Sequence, residues 1–433
     1  MNSEQLKLAN EILEDREKRK TLISKLTKKY NVVCLKANIP GLYKNLYYAK
    51  LIISHFDKRM EETGYFNKYS YKSFDGPYVL YTYDKNQFDI RYLKAKMIDL
   101  EDGEEIGRLV DLDVFGSEEV SLSRSSSNRR KCLLCDDYAV NCARTQKHSY
   151  EELIKKIEEI TYNDAKKNIE KAIDSAMEKE LELPYKFGAV CKYNSSSHND
   201  MNYQLMHKAK DAIIPYFVKM FEVGLKTKSL STIFNKIRII GLEAESAMYK
   251  VTNGINCYKG LIFSLGLIVA SMGYDMTHNF DFDSIFYNIS KMTKNIDNDY
   301  NIYHTYGVDA YKEYHFKGAR EQAKDGLKIV KRGYYYNTGL KSVDLMKTLI
   351  FIISNIDDTV LLKRAGSIEK YEYVKEMISN INVSLLDHDD YNEVIKINEY
   401  CINNNLSTGG ACDMLICTIF LKELIGREKQ CVN

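Results

Sequence analysis

The pattern of apolar and polar residues changes at about residue 165. Before that point, stretches with the two-residue alternation of strands are interspersed with stretches of helical spacing. This part of the chain therefore predicts a mixture of β and α structure. The predicted strand-forming segments are 31–39, 78–83, 88–97 and 109–115, and the predicted helices are 3–30, 46–60 and a charged helix from 149 onwards.

Beyond residue 165, apolar residues recur with helical spacing in one segment after another, and strand signals are nearly missing. The predicted helices are 163–183, 200–222, 230–252, 259–272, 284–296, 318–328, 343–355, 368–380, 391–403 and 410–424. At 433 residues the chain is long for a single hydrophobic core. We therefore expect two domains: an α+β domain over residues 1–160, with a mixed sheet and helices, and an all-α helical domain over residues 161–433.

The composition restricts the classes of partner. A formal net charge of +2 gives no argument for a general role in binding nucleic acids or membrane surfaces. No apolar leader segment precedes the first predicted helix, and the most apolar run, 260–272, is too short to span a bilayer. The ten cysteines lack the density of a secreted disulfide scaffold. We expect a cytoplasmic protein with reduced thiols, no membrane segment and no nucleic-acid partner.

Two carboxylates lie two residues apart in the predicted strand 109–115. On a strand, Asp111 and Asp113 point to the same face, roughly 7 Å apart. That spacing suits a Mg²⁺ ion whose remaining ligands are waters and substrate phosphates. The alternative is a strand at a sheet edge whose carboxylates simply face solvent.

A group of metal-binding residue types follows this strand. Cys132, Cys135, Cys142 and His148 have the ligand types of a structural Zn²⁺ site, although the later spacing is not that of a common zinc finger. A redox pair is less favoured, because no βαβ pattern surrounds the C-x-x-C sequence. Reduced, half-buried thiols are the simpler interpretation, and structural Zn²⁺ is the less favoured alternative.

The loops between the later helices are rich in small and polar residues. The loop 252–260 contains Gly254 and Lys259, and the loop 405–410 repeats the arrangement before the last helix. Small residues let the backbone approach an anion, and the following helix offers its N-terminus. Each loop alone is also explained as an ordinary structural turn, but together they predict a crevice for a polyphosphate and Mg²⁺. No Walker A pattern and no dinucleotide-binding glycine motif is present in the sequence.

Acidic residues in this half have more than one interpretation. Asp200, in the sequence His198-Asn199-Asp200 ahead of a predicted helix, either acts on a substrate together with His198 or caps the helix. Asp357 and Asp358 end an apolar helix, where they would oppose the helix dipole unless a cation compensates. A divalent cation bound by this pair would meet that requirement.

Both halves resemble known families. Residues 12–155 resemble the apo-citrate lyase phosphoribosyl-dephospho-CoA transferases through Asp15-Arg16…Arg19, Ile39-Pro40-Gly41…Lys44, Gly107-Arg108-Leu109…Asp111-Leu112-Asp113-Val114, Arg130-Lys131-Cys132-Leu133-Leu134-Cys135 and Cys142-Ala143-Arg144…His148. Residues 184–425 resemble the triphosphoribosyl-dephospho-CoA synthases through His198-Asn199-Asp200-Met201, Gly241-Leu242-Glu243-Ala244-Glu245…Met248, Asn253-Gly254-Ile255-Asn256…Lys259-Gly260, Phe263-Ser264-Leu265-Gly266, Gly318-Ala319-Arg320, Asp357-Asp358-Thr359…Leu362 and Asn405-Leu406-Ser407…Gly409-Gly410…Asp413.

The resemblance implies a fused, bifunctional transferase with a nucleotidyltransferase-like first domain. The synthase family joins ATP to 3′-dephospho-CoA and releases adenine, which leaves a triphosphoribosyl group on the ribose 2′-hydroxyl. The transferase family then moves the phosphoribosyl-dephospho-CoA to a Ser of the citrate lyase acyl carrier protein (the gamma subunit) and releases pyrophosphate. The implied partners are therefore ATP, dephospho-CoA and that carrier protein, and the implied cofactor is Mg²⁺.

The residues of these motifs fit such roles. In the transferase half, Asp111 and Asp113 would hold Mg²⁺, while a nearby arginine neutralises developing charge; the candidates are Arg108, Arg130 and Arg144. In the synthase half, displacement of adenine needs a general base and a proton donor. The unranked carboxylate candidates are Asp200, Glu245 and Asp413. The expected contacts to the substrate are His198, Asn253, Asn256, Lys259, Ser407, Gly409 and Gly410, with Mg²⁺ at Asp357 and Asp358.

The chain departs from the synthase pattern at a few positions. Tyr258 stands where the family usually has His, Thr408 where Pro is usual, and Ala411 where Ser is usual. A Tyr hydroxyl donates a hydrogen bond but transfers protons poorly near neutrality. Two alternatives to the assigned function are the same chemistry serving malonate decarboxylase, and a carrier-protein-binding module whose synthase half is inactive.

Overall fold

The computed structural model describes residues 2–117, 121–122, 124, 129–278, 281–297 and 306–425. The chain divides into two compact units, Met1–Ala165 and Lys166–Asn433. The first unit contains a small sheet with helices, and the second is helical throughout its described residues. The predicted fold class, α+β followed by all-α, is confirmed.

The first unit alternates helices and strands. Its elements are α1 (Ser3–Thr27), β1 (Tyr30–Ala37), α2 (Tyr47–Met60), β2 (Asn67–Tyr71), β3 (Tyr78–Asp84), α3 (Ile90–Asp102), β4 (Val110–Phe115), α4 (Ala139–Thr145) and the beginning of α5 (Tyr150–Glu182).

The four described strands form one sheet in the order β2-β3-β1-β4. Every pairing between them is antiparallel, with Cys34 of β1 opposite Asp113 of β4 and Lys36 opposite Asp111. The prediction of a mixed sheet is therefore wrong for the described strands. Apolar alternation sets which residues form strands, but it carries no information about their relative direction.

The predicted strand-like segment 88–97 is also wrong, because α3 occupies most of it. The side chain of Asp89 caps this helix by accepting hydrogen bonds from the amides of Arg91 (2.8 Å) and Tyr92 (3.0 Å). Leu93 and Met97 then pack into the core at helical spacing.

Helices pack on both faces of the sheet. On one face, strand side chains pack against α2, α3 and the beginning of α5. These strand residues are Val33, Leu35, Ala37, Val79, Tyr81, Tyr83, Val110, Leu112 and Val114. On the opposite face, a smaller cluster that includes Cys34 and Leu80 packs against Ile23 of α1. Because neighbours along a strand alternate between faces, Asp111 and Asp113 lie on the α1 face.

The second unit is a bundle of helices that begins with the end of α5. Its other helices are α6 (Tyr203–Lys226), α7 (Leu230–Thr252), α8 (Lys259–Met276), α9 (Phe282–Met292), α10 (Tyr306–Tyr314), α11 (Ala319–Lys324), α12 (Lys328–Tyr336), α13 (Ser342–Asn355), α14 (Thr359–Ala365), α15 (Ile368–Ser379), α16 (Asn392–Asn403) and α17 (Gly409–Ile425).

Helix α8 lies at the centre of this unit and contacts α6, α7, α9, α11 and α17. Most of its residues are buried, which suits a helix that is apolar on all sides. Two glycines let α6 and α8 cross closely. A Cβ on Gly224 would overlap the carbonyl oxygen of Ala270, and one on Gly273 would overlap that of Phe221. Among the helices in the described ranges, none is both long enough and apolar enough to cross a membrane.

Candidate active sites

The paired aspartates of β4 form the centre of the candidate site in the first unit. Asp111 and Asp113 alternate with the buried residues of that strand, and the Asp111 side chain is 40% exposed. Burial, and then the neighbouring Asp111 carboxylate, raise the pKa of Asp113. The two carboxylates therefore repel each other on one face of the sheet.

Arg130 joins this pair to α3. Its guanidinium lies 2.9 Å from Asp111 Oδ1 and 2.9 Å from Glu101 Oε1, and it donates to the carbonyl oxygen of Val110 at 2.7 Å. Glu101 is buried and also accepts the amide of Leu112 at 2.6 Å. Arg130 is thus held from two sides against the strand that carries the aspartates.

The other two predicted arginines lie elsewhere. Arg108, in the short turn before β4, donates to the carbonyl oxygen of Cys132. Arg144 is exposed on α4. Of the three predicted arginines, only Arg130 has an ion pair with the aspartates in the described structure.

A buried carboxylate that the sequence did not indicate lies among three cations. Asp75 is 2.7 Å from Lys36 Nζ, 2.9 Å from the Arg19 guanidinium and 3.0 Å from that of Arg16. Burial opposes ionisation of Asp75, but hydrogen bonds from Arg16 and Lys36 outweigh it and lower its pKa to about 2. Since one carboxylate neutralises one charge, the three cations keep an excess of positive charge.

That excess lies next to the aspartate pair, because Lys36 is the cross-strand neighbour of Asp111. Lys44 adds to it and donates to the carbonyl oxygen of Ile39. Burial, and then the charge of Lys36, lower the pKa of Lys44. Carboxylates beside unneutralised cations are the arrangement expected for a metal–phosphate substrate. Arg16 and Arg19 belonged to the family motif, whereas no local pattern marked Asp75.

The second unit encloses a cavity of about 810 Å³. Most of the predicted synthase residues line it: His198, Glu245, Asn256, Lys259, Asp357, Asp358, Ser407, Gly409, Gly410 and Asp413. Cationic residues without an assigned role also line it: Arg238, Arg320, Lys363 and Arg364. Residues that are far apart in the sequence thus form one polar pocket.

Two predicted residues have other positions. Asn253 ends α7 in the left-handed conformation, with φ of 53°, and its side chain is exposed. The Asp200 side chain is 60% exposed, and its Oδ1 lies 3.8 Å from His198 Nδ1. Asp200 is not the cap of α6, because that role belongs to Asn202, whose side chain accepts the amide of Leu205 at 2.9 Å.

The first turn of α8 brings two acids together. Glu245 forms an ion pair with Lys259 at 2.8 Å, and the side chain of Asn256 accepts the Lys259 amide at 3.0 Å. The next residue, Gly260, packs directly against the Asp413 carboxyl, so that a Cβ at this position would overlap its Oδ2 atom. The close approach of Asp413 to α8 therefore requires glycine.

The environments of these two acids differ. Burial raises the pKa of Asp413 well above its ordinary value, and the nearby acids Glu180 and Asp358 raise it further. Glu245 instead has a cationic partner in Lys259. Two carboxyl groups in such different environments at one helix end can serve as proton donor and proton acceptor.

His198 is held as a neutral imidazole. Burial, and then the charge of Arg364, lower the pKa of His198 to about 4. Arg364 donates to Nδ1 at 2.8 Å, so the ring proton lies on Nε2, which donates to Ser407 Oγ at 3.0 Å. The hydroxyl hydrogen of Ser407 then remains available to a ligand in the cavity.

Asp358 does not fit the predicted metal site. Its Oδ1 accepts the amides of Val360 (2.8 Å) and Leu361 (3.1 Å), and its Oδ2 accepts the amide of Ala411 (2.9 Å). The Gly410 amide adds a further hydrogen bond. Asp358 therefore caps both α14 and α17, and its acceptor positions are taken by backbone.

Asp357 has a more open position. It accepts the amide of Lys317 at 3.0 Å, lies 3.7 Å from Lys375 Nζ, and is about one-third exposed. Because Asp358 is committed to the helices, Asp357 lacks the second carboxylate that the sequence predicted for a metal site.

The cavity also contains groups that the sequence did not indicate. Glu180 of α5 lines it and forms a buried ion pair with Lys186. Tyr258, at the departure from the family pattern, is buried, and its hydroxyl has no hydrogen-bond partner among the described residues. A buried hydroxyl without a partner is costly, so Tyr258 carries an unsatisfied polar group beside the cavity.

Known proteins match both units. A family model for apo-citrate lyase phosphoribosyl-dephospho-CoA transferase matches residues 8–164, and one for ATP:dephospho-CoA triphosphoribosyl transferase matches residues 166–432. Protein CitXG of Haemophilus influenzae is 30% identical over 363 residues, which cover 78% of each chain. Protein CitXG of Leuconostoc mesenteroides is 30% identical over 373 residues, 78% of this chain and 79% of that protein.

A relative that corresponds mainly to the second unit is 2-(5″-triphosphoribosyl)-3′-dephosphocoenzyme-A synthase of Haemophilus ducreyi. It is 27% identical over 325 residues, 67% of this chain and 99% of that protein. Neither the malonate decarboxylase alternative nor the non-catalytic one is favoured by these matches. The chain belongs to the family that fuses an apo-citrate lyase phosphoribosyl-dephospho-CoA transferase to an ATP:dephospho-CoA triphosphoribosyl transferase, and it is a bifunctional transferase that makes and attaches the citrate lyase prosthetic group.

Proposed function

We propose that the cavity of the second unit joins ATP to 3′-dephospho-CoA, with Glu245 as general base and Asp413 as general acid. The observation that carries this assignment is their common position at the first turn of α8, together with their different environments. Asp200 is a weaker candidate, because its side chain is mostly exposed.

The reaction breaks one bond and forms one at the ribose C1′ atom of ATP. The 2′-hydroxyl oxygen of dephospho-CoA attacks C1′ and loses its proton to Glu245. The bond from C1′ to adenine breaks, its electron pair passes to the purine, and Asp413 supplies the proton that makes adenine a neutral leaving group.

The triphosphate is bound but not cleaved in this step. The amide of Gly409 at the start of α17 and the side chains of Arg320 and Lys363 in the cavity lining offer positive charge to it, whereas the Gly410 amide is already hydrogen-bonded to Asp358. His198 is a positioning residue: neutral and fixed by Arg364, it orients the Ser407 hydroxyl toward the substrate.

A divalent metal fits the first unit better than the second. The proposed Mg²⁺ ligands Asp111 and Asp113 are carboxylates on one strand face. Burial, and then repulsion from Asp111, raise the pKa of Asp113, and a bound cation would offset both effects. When bound, Mg²⁺ would neutralise charge on the substrate phosphates. In the second unit we assign no step to a metal, because Asp358 is saturated by backbone amides.

The first unit then attaches the product to its protein partner. A Ser hydroxyl of the citrate lyase acyl carrier protein attacks the phosphorus next to the ribose, the phosphorus–oxygen bond to pyrophosphate breaks, and the hydroxyl proton passes to solvent. Arg130 stabilises negative charge beside Asp111, and the cations around Asp75 bind the departing pyrophosphate. ATP, dephospho-CoA and this carrier protein are the proposed reactants.

The two halves can be tested separately with the full chain. Incubation with ATP, dephospho-CoA and Mg²⁺ should release adenine, measured by chromatography, and Glu245→Gln or Asp413→Asn should reduce that rate by about 10²-fold or more. Both variants should still attach pre-formed triphosphoribosyl-dephospho-CoA to the carrier protein. Because the protonated form of Asp413 is the active one, adenine release should fall as pH rises through its raised pKa.

Wild-type rates of adenine release in either variant would remove these residues from the mechanism. The acceptor is identified by incubating the enzyme with the citrate lyase and the malonate decarboxylase carrier proteins in parallel. Mass spectrometry then shows which of the two carrier proteins has gained the prosthetic group. Modification of the malonate decarboxylase carrier alone would overturn the assignment of the partner.

A further inference from the structure

The structure brings together four metal-binding side chains whose spacing in the sequence is not that of a common zinc finger. Cys132, Cys135, Cys142 and His148 have the spacing C-x2-C-x6-C-x5-H, and their sulfur and nitrogen atoms all lie within 4.8 Å of one another. The Sγ atoms of Cys135 and Cys142 are 3.5 Å apart, and His148 Nε2 lies 3.3 Å from Cys135 Sγ. The adjacent transferase chemistry makes no use of these groups.

These separations match the edges of a zinc tetrahedron. Zinc–sulfur bonds of about 2.3 Å and zinc–nitrogen bonds of about 2.0 Å give edges of roughly 3.8 Å between sulfurs and roughly 3.5 Å between sulfur and nitrogen. Three Cys and one His form a common ligand set for structural zinc. The donor atoms are therefore already close to the positions that the ion requires.

The backbone around the four residues forms a compact turn. Lys131 and Tyr138 pair as an antiparallel bridge, and the Cys132 amide donates to the carbonyl oxygen of Asp137 at 2.7 Å. The amide of Leu134 points at Cys132 Sγ, 3.5 Å away. An N–H directed at sulfur stabilises a thiolate ligand, as outer hydrogen bonds do at metal sites.

Little apolar packing supports this turn, because Leu133 is its one side chain that packs, half-buried, against the main core of the first unit. Within residues 129–149, the only buried side chains are those of Cys132 and Cys142. The larger apolar side chains are substantially exposed: Leu134 36%, Tyr138 38% and Val140 43%. A short segment with so little buried apolar surface gains much of its stability from a covalent or metal crosslink.

We propose that Cys132, Cys135, Cys142 and His148 bind one structural Zn²⁺, which fixes residues 129–149 ahead of α5. The segment carries Arg130 two residues before the first ligand, and Arg108 donates to the carbonyl oxygen of Cys132 itself. The ion thereby holds Arg130 in its ion pair with Asp111. Its role is structural, and the ion does not contact the reacting phosphate.

The test is the metal content of the purified full chain. Wild-type protein should contain about one zinc per chain, and Co²⁺ substitution should give the intense visible bands of a tetrahedral cobalt–thiolate site. Cys135→Ser and His148→Ala should lose the metal, whereas His148→Cys should retain it, because cysteine supplies an equivalent ligand. Cys191→Ser is the matched control: it removes a buried thiol of the second unit and should keep a full complement of zinc.

Removal of zinc by a chelator should lower the rate of attachment to the carrier protein at least tenfold and leave adenine release unchanged. The proposal is overturned if wild-type protein purified with added zinc holds no more metal than Cys135→Ser. It is also overturned if thiol counting and mass spectrometry show a disulfide between Cys135 and Cys142 in the native protein. Metal content and the cobalt spectrum are independent of whether the proposed catalytic roles are correct.

Discussion

The two candidate sites handle carboxylates in different ways. In the first unit, Asp111 is partly exposed on the α1 face of the sheet, and three cations surround the nearby ionised Asp75. In the second unit, Asp413 lies half-buried in the lining of a cavity, and its pKa is raised well above the ordinary value. The first arrangement keeps cations beside accessible carboxylates, as the proposed attachment to a protein substrate requires, whereas the second favours a carboxyl group that retains its proton.

The largest expected effect separates the two sites. Asp111→Asn should lower attachment to the carrier protein by on the order of 10³-fold, because it removes a proposed metal ligand and the partner of Arg130. Adenine release should remain at the wild-type rate. Both reactions are measured on the same preparation, by carrier-protein mass and by free adenine.

Asp99→Asn is the matched control for that variant, since it changes an aspartate of α3 outside the proposed site. It should leave both reactions unchanged. If Asp111→Asn abolishes both reactions, the assignment of attachment to the first unit and of adenine release to the second is wrong.

The second-largest expected effect tests the close contact between Gly260 and Asp413 in the cavity of the second unit. Gly260→Ala should lower adenine release by about 10²-fold, because the new methyl group displaces the Asp413 carboxyl. Gly241→Ala places its Cβ at an ordinary 3.7 Å from Met220 and should be tolerated. Equal activity of the two alanine variants would show that the position of Asp413 is unimportant.

The charge cluster of the first unit predicts a pH-dependent stability. Asp75→Asn should lower the free energy of unfolding of this unit by about 3 kcal/mol at neutral pH, because three cations lose their shared counter-ion. Since the pKa of Asp75 is lowered in the folded state to about 2, its contribution is present above pH 4 and is lost as pH falls toward 2. Hydrogen exchange in β1 and β4 across this range measures it.

The difference between wild-type protein and Asp75→Asn should therefore shrink as pH falls from about 4 to about 2, because the wild-type carboxyl becomes protonated. A difference that stays constant with pH would show that the ion pairs contribute no stability.

The smallest expected effect concerns the buried hydroxyl of the cavity. Tyr258→Phe removes an unsatisfied buried oxygen and should stabilise the free protein by about 1 kcal/mol. If substrate supplies the missing partner, the KM for one substrate should rise less than tenfold while kcat is nearly unchanged. Thermal unfolding and steady-state adenine release measure the two effects, and a loss of stability would contradict the first.

Sequence patterns predicted most elements but not their directions. The strand that carries Asp111 and Asp113, and the long helices of the second unit, follow directly from hydrophobic spacing. The segment 88–97 was misassigned although Asp89 offered a helix-capping signal. The antiparallel direction of all the described strand pairs depends on tertiary contacts that spacing does not encode.

The candidate sites were predictable only where the family motifs supplied residues. The cavity collects loops that are separated by up to about two hundred residues, as in the hydrogen bond from His198 to Ser407. Asp75 had no local signal, because its partners Arg16 and Lys36 lie 59 and 39 residues away in sequence. The charge of a residue is visible in a sequence, but its burial and its partners are properties of the fold.

Asp358 shows how an acidic pair can be mistaken for a metal motif. Its carboxylate accepts hydrogen bonds from the first turns of α14 and α17, which are far apart in the chain, so one side chain fixes where both helices begin. An asparagine there would turn an NH₂ group toward one of the two sets of amides, and glutamate would be too long to reach both. A position of this kind would be invariant among relatives for architectural reasons alone, so invariance by itself would not identify it as a metal ligand.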